Sequence, residues 1–234
     1  MKSHIFNFNI SQVAPLIDWS YFLHAWGIAA GKDSPQAKEI IADARAMLAG
    51  INDKYHTMAL FALCEAKGDG DNIGLFATSV ESGFGNEFAG DEYHNLIAQT
   101  LADRLAEATA TLLHKKVRTE SSLWGYAPNE ELSLDELLAE KNQGIRPAVG
   151  YPSLPDQSII FTIDSLLHLE DAGIVLTPNG AMTPHASVCG VMIAHPAAHY
   201  FAVGKIDSEQ LGDYAARRGL QPSDIAKFLA KNIG

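Results

Sequence analysis

The sequence predicts an α+β fold built on an antiparallel sheet, and three observations carry that prediction. Thr57–Cys64 and Ile73–Val80 are apolar runs separated by Gly68-Asp69-Gly70-Asp71, the pattern of a β-hairpin. Val188–Ala194 and Tyr200–Ile206 flank His195-Pro196-Ala197-Ala198-His199 in the same way, a second hairpin. Between them lies a stretch with helical period from Asp91 to about Lys116. Hairpins alternating with helices give an antiparallel sheet with helices packed on it.

Taken in order, residues 1–16 read as an extended N-terminal arm of a single domain spanning 1–234. Ile17–Ile28 is apolar, with Asp18 and His24 as its main polar members, and Asp18 is placed to cap a helix. Ser34-Pro35 opens the next helix and Gly50 closes it, with Ala37, Ile40, Ile41, Ala44 and Leu48 as its buried stripe. Ser82–Gly90 is a glycine-rich loop without the Gly-x-Gly-x-x-Gly spacing of a nucleotide site. In the long helix, Tyr93, Ile97, Leu101, Leu105, Ala108 and Leu112 form the buried stripe. Glu107 lies off it, within reach of a surface pair with Arg104.

Trp124–Asn129 is an aromatic loop. Ser133-Leu134-Asp135-Glu136 is a capping box that starts a short helix ending at Gly144. Further helices are expected over Thr162–Glu170, Ser208–Arg217 and Pro222–Asn232, with a short strand at Ile174–Leu176 and a turn at Thr177–Gly180.

Composition narrows the function classes. The 234 residues are 47% hydrophobic, enough for a full core, and carry a net charge of −11 without a basic run, which argues against nucleic acid. Cys64 and Cys189 sit in apolar stretches and read as buried thiols of a reducing compartment. The absence of a signal-like start and of a long apolar run predicts a cytoplasmic protein outside the membrane. His195 and His199 are four apart, but Pro196 opposes a helix there. Neither His-Glu-x-x-His nor Cys-x-x-Cys occurs, so no metal site is expected.

The most informative stretch is Gly144–Ser158. Pro147, Pro152 and Pro155 exclude a regular helix and a central strand. They hold Arg146, Tyr151 and Leu154 in extended geometry. Gly150 permits positive φ or a close ligand approach. The product is a stiff loop that presents one guanidinium fork and one phenol. Such a loop suits a small zwitterion, or is a turn whose arginine pairs with a neighbour.

Glu140–Pro155 carries Arg-Pro-Ala-x-Gly-Tyr-Pro-x-x-Pro in full and resembles the S-adenosylmethionine loop of the activation domain of cobalamin-dependent methionine synthase. Ile17-Asp18-Trp19 with Trp26, Leu101–Ala108, Trp124–Glu130, His195-Pro196, Tyr200–Val203 and Asp213-Tyr214-Ala215 match in the same order. The resemblance implies a C-shaped α+β domain with a twisted antiparallel sheet and flanking helices. It implies that Arg146 forks onto the ligand carboxylate and Asp18 takes the ammonium, with Glu107 and Glu140 close by. Backbone around Ala148 and Tyr200 would hold the adenosyl part, and Tyr151 would face the corrin. Phe201 departs from the family, where tyrosine is common.

The implied cofactor is S-adenosylmethionine, with cobalamin supplied only by a partner. No Asp-x-His-x-x-Gly is present to hold a corrinoid from below. The implied partners are a cobalamin-binding methionine synthase chain in trans and flavodoxin or an equivalent reductant. Two alternatives stand beside this: reactivation of another corrinoid protein, or a self-standing methyltransferase.

Overall fold

The computed structural model describes residues 2–28, 33–65 and 72–234. Its centre is an antiparallel sheet ordered β1 (Ser3–Asn9), β2 (His56–Glu65), β3 (Asn72–Val80), β6 (Ser187–Met192). The expected hairpin is present, with Phe61 opposite Phe76 and Leu60 opposite Ala77; its turn at 68–71 lies outside the described residues. Both faces of these strands are covered. Ala59, Phe61 and Phe76 face one core, whereas Leu60, Ala62 and Ala77 face another. A strand buried on two faces loses its polar alternation, which is why β2 and β3 read as continuous apolar runs.

The first core is closed by α1 (Ile10–Val13), α2 (Trp19–Ala25), α3 (Pro35–Ile51) and α4 (Glu92–Thr119). In α4, Ile97, Leu101, Leu105 and Ala108 are buried as the period predicts. The first member of the expected stripe is not: Tyr93 is 40% exposed, and its hydroxyl donates to Asp43 at 2.7 Å. Ser34 caps α3, accepting from the Ala37 amide at 3.1 Å, and the helix runs through Gly50 to Ile51. The second core lies under α6 (Ile159–Leu167), through Ile160, Ile163 and Leu167. A small ribbon of β4 (Val175–Leu176) and β5 (Met182–Thr183) follows.

Several expected boundaries move. The N-terminal residues are extended, but Ser3–Asn9 is an edge strand paired with β2 rather than a free arm. The short helix after Ser133, α5 (Leu134–Leu138), stops well before Gly144. The helix expected over Thr162–Glu170 starts earlier and ends at His168, which adopts a left-handed φ of 56°.

Tyr200–Ile206 is not a strand. The edge of β6 it would need is already taken: Ile145 bridges Ile193 and Ala148 bridges Gly190, so the proline-rich loop fills that place. The last helices are α7 (Ser208–Arg218) and α8 (Pro222–Ala226), the latter ended by turns that bring Ile233 beside Ile206.

Candidate functional site

A cleft of about 720 Å³ opens where α2, α4, the end of α5, the 146–153 loop and the 200–202 segment meet. Asp18, Glu107, Glu140, Arg146, Ala148, Tyr151, Tyr200 and Phe201 all line it. Each wall has a local cause. Asp18 is the N-cap of α2, its Oδ1 accepting from the Ser20 amide at 2.8 Å, which fixes the carboxylate at the edge of the cleft. Glu107 projects from the solvent side of α4, one turn before Thr111. Glu140 follows α5 with φ at 54°, a conformation that costs energy for a side chain with a Cβ and concentrates at functional sites.

The loop is stiff for the reasons its prolines suggest. The Val149 amide donates to Cys189 O at 2.9 Å and the Val191 amide to Pro147 O at 3.1 Å, fixing its first half to β6. Gly150 takes φ of 86°, a left-handed conformation that a side chain with a Cβ adopts only under strain, so glycine is favoured there. The Gly150 amide donates to Leu154 O and the Leu154 amide to Tyr151 O, closing the tip that presents Tyr151.

Polar groups converge on Glu107. Arg146 Nη1 lies 3.4 Å from Glu107 Oε2, Arg146 Nη2 donates to Thr111 Oγ1 at 3.0 Å, and Tyr151 donates to Glu107 Oε1 at 2.8 Å. The Arg146–Glu107 separation exceeds the 2.7–2.9 Å of a tight charge-assisted bond. The fork is therefore loosely engaged toward Glu107 and held more closely by Thr111. Partial burial and the Glu107 charge push the Tyr151 phenol up to about 12. The Tyr200 hydroxyl accepts from the Arg146 amide at 2.9 Å, and burial raises its phenol as well. Tyr200, Phe201 and Ala202 line one wall, and their amides make no hydrogen bond to another described residue.

Beneath the cleft floor is a second polar layer. Arg118 is buried and its Nε donates to Glu130 Oε2 at 2.7 Å. Glu130 Oε1 in turn accepts from the Gln143 amide at 2.9 Å, three residues before Arg146. His114 Nε2 lies 2.8 Å from the Tyr126 hydroxyl. Burial first, then Arg118 and Arg146, hold this imidazole neutral, well below its usual range.

The cleft also contains residues that sequence reasoning missed. Arg104 and Tyr21 line its mouth, with the guanidinium carbon 5.9 Å from the ring centroid. The helical period was a usable signal for Arg104 and Thr111, which stand three before and four after Glu107 on one face of α4. Nothing comparable flagged Tyr21. Among the described residues no group of three or more His, Cys, Asp or Glu side chains converges to hold a metal, and no helix is long and apolar enough to cross a membrane.

Residues 55–219 match the family model "Vitamin B12 dependent methionine synthase, activation domain". The chain belongs to this family. A crystal structure of the MetH reactivation domain bound to AdoHcy is similar at 30% identity and a TM-score of 0.92, covering 100% of this chain and 91% of that one. The α+β architecture with its antiparallel sheet and helices is thus that of a methionine synthase reactivation domain. Seven of the eight site residues expected from the sequence fall within the matched segment of the activation domain family, and Asp18 lies before it.

Proposed function

We propose that this cleft binds S-adenosylmethionine and that the protein supports reductive methylation of cob(II)alamin on a methionine synthase chain acting in trans. The observation that carries the reading is the charge set of the cleft. Asp18, Glu107 and Glu140 oppose Arg104 and Arg146 along one cavity. Three carboxylates against two guanidiniums leave one net negative charge. S-adenosylmethionine, with ammonium, sulfonium and carboxylate, carries one net positive charge.

Arg146 takes the carboxylate by turning from Glu107, and Asp18 takes the ammonium. The released Glu107 and Glu140 face the remaining positive charge, and the amides of Tyr200–Ala202 with the Ala148 backbone hold the adenosyl part. The related MetH reactivation domain bound to AdoHcy, the demethylated product of the same ligand, supports this assignment. Tyr151, half exposed at the mouth, is the group that meets the corrin of the partner. In the overall change one electron from flavodoxin or an equivalent reductant, with the methyl of S-adenosylmethionine, turns cob(II)alamin into methylcobalamin and leaves S-adenosylhomocysteine.

Calorimetry with S-adenosylmethionine, followed by a single-turnover assay with a chemical reductant and a purified cobalamin-loaded synthase lacking its own activation domain, tests the reading. Binding with a rise of the methylcobalamin spectrum is expected. Copurification of stoichiometric corrinoid with this protein alone would exclude the trans arrangement.

A further inference from the structure

The two sides of the cleft mouth are held by different bodies. One is the 146–155 loop, fixed to β6. The other is Tyr200–Ala202, which leads not into the sheet but into the C-terminal helices. The Ile206 amide donates to Asn232 O at 2.7 Å, the Gly234 amide to Ile206 O at 3.1 Å, and Asn232 Nδ2 to Gly204 O at 2.7 Å. Residues 204–206 are therefore part of the C-terminal unit. That unit has its own small core of Ala215, Ile225 and Leu229, separate from both cores of the sheet.

A buried carboxylate joins the two bodies. Asp156, one residue past the last proline of the loop, is 3% exposed. Its Oδ1 accepts from the Ser158 amide at 2.8 Å; its Oδ2 accepts from the Tyr214 hydroxyl at 2.7 Å and from Arg218 Nη1 at 2.6 Å. Arg218 Nη1 also donates to the Tyr214 oxygen at 3.0 Å, closing a triangle. The other ties are single contacts: the Tyr200 hydroxyl accepts from the Arg146 amide at 2.9 Å, and two more lie further out. The Val203 amide donates to Pro152 O at 2.9 Å, and Phe161 meets Phe228 edge-on at 6.0 Å between centroids.

We infer that Asp156, Tyr214 and Arg218 are positioning residues: a clamp that sets the spacing between the Tyr151 loop and the Tyr200–Ala202 wall, and through it the affinity of the cleft. The inference rests on the cleft being the S-adenosylmethionine site. The buried carboxylate holds its place only while its partners are present, because Asp156 without Arg218 and Tyr214 would be a buried charge left uncompensated. Loosening it frees the C-terminal unit to carry Tyr200–Ala202 away from the loop without disturbing the sheet.

The test compares Asp156→Asn, Tyr214→Phe and Arg146→Ala with the unaltered protein by calorimetry with S-adenosylmethionine and by amide hydrogen exchange. Asp156→Asn keeps the size of the side chain and an acceptor for Ser158. It should weaken binding roughly three-fold or more and speed exchange at Val203 while the amides of β2 and β3 stay protected. Tyr214→Phe, the milder change, should move both readings in the same direction and keeps the test decisive if Asp156→Asn does not fold. Unchanged affinity in both clamp variants, with only a lower melting temperature, would overturn the clamp. If Arg146→Ala weakens binding and the clamp variants do not, the clamp alone fails. If Arg146→Ala also leaves binding intact, the ligand is not in this cleft and both readings fall.

Discussion

Arg146 and Tyr151 divide the work of one loop. The guanidinium is held by a long contact to Glu107 and one hydroxyl bond to Thr111, so taking a ligand carboxylate sacrifices little. Arg146→Ala should weaken S-adenosylmethionine binding by about 1.5–3 kcal/mol, ten-fold or more, the worth of a charge-assisted bidentate pair. Arg146→Lys should restore only part of it, since an ammonium cannot match the planar fork; calorimetry separates the two. Tyr151 behaves differently because its hydroxyl spends its bond on Glu107. Its folded phenol, near 12, lies above the ordinary 10.0. The contribution to stability is therefore complete below pH 10 and is lost as pH rises from there toward 12. Titration of phenolate absorbance should show one fewer late-ionising tyrosine in Tyr151→Phe. That variant should keep S-adenosylmethionine affinity nearly intact yet alter the rate of methylcobalamin formation on the partner; an unchanged rate would remove the corrin-facing role.

At the scale of elements, α4 carries the site on one side and the core on the other. Its buried side was legible because Ile97, Leu101, Leu105 and Ala108 keep helical spacing. Its polar partners were not, because Glu130 and Tyr126 arrive from a loop whose path no period encodes. His114 shows the consequence. It is 3% exposed, bonded to Tyr126, and held neutral by burial and two arginines. A histidine whose folded value is depressed stabilises the fold above its ordinary 6.5 and ceases to do so as pH falls. Below 6.5 the unfolded chain takes up a proton that the folded chain refuses, adding a slope of up to ~1.4 kcal/mol per pH unit. Urea unfolding midpoints between pH 7.5 and 5.5 should fall more steeply for the unaltered protein than for His114→Gln. Equal slopes would show that His114 is protonated in place.

For the whole molecule, the hairpin, the long helix and the cleft loop were readable because each depends on local chemistry: apolar runs, helical period, prolines. The placing of the loop against the sheet was not readable, since it depends on which strand edge is vacant. Tyr200–Ile206 has the composition of a strand, but the edge it would need is occupied, and its exposed aromatics became cleft wall instead. The residue that permits this exchange is Gly190. A Cβ there would stand 2.3 Å from Pro147 O, 2.8 Å from Ala148 Cα and 2.9 Å from Phe76 Cε1. Backbone on one side and a fully buried ring on the other leave nothing that can yield cheaply. Gly190→Ala should therefore push the 146–149 segment off β6. Overpacking of this kind costs roughly 1–3 kcal/mol of stability, visible in urea unfolding. The cost should extend to function, because Arg146 and Ala148 ride on the displaced segment while Asp18 and Glu107 stay with their helices. S-adenosylmethionine affinity should fall in Gly190→Ala even at temperatures where the variant is fully folded. Gly212→Ala, in α7 where a Cβ meets nothing within 4 Å, should leave affinity unchanged. A Gly190→Ala variant that binds as tightly as the unaltered protein would mean that the loop is not held by its approach to β6.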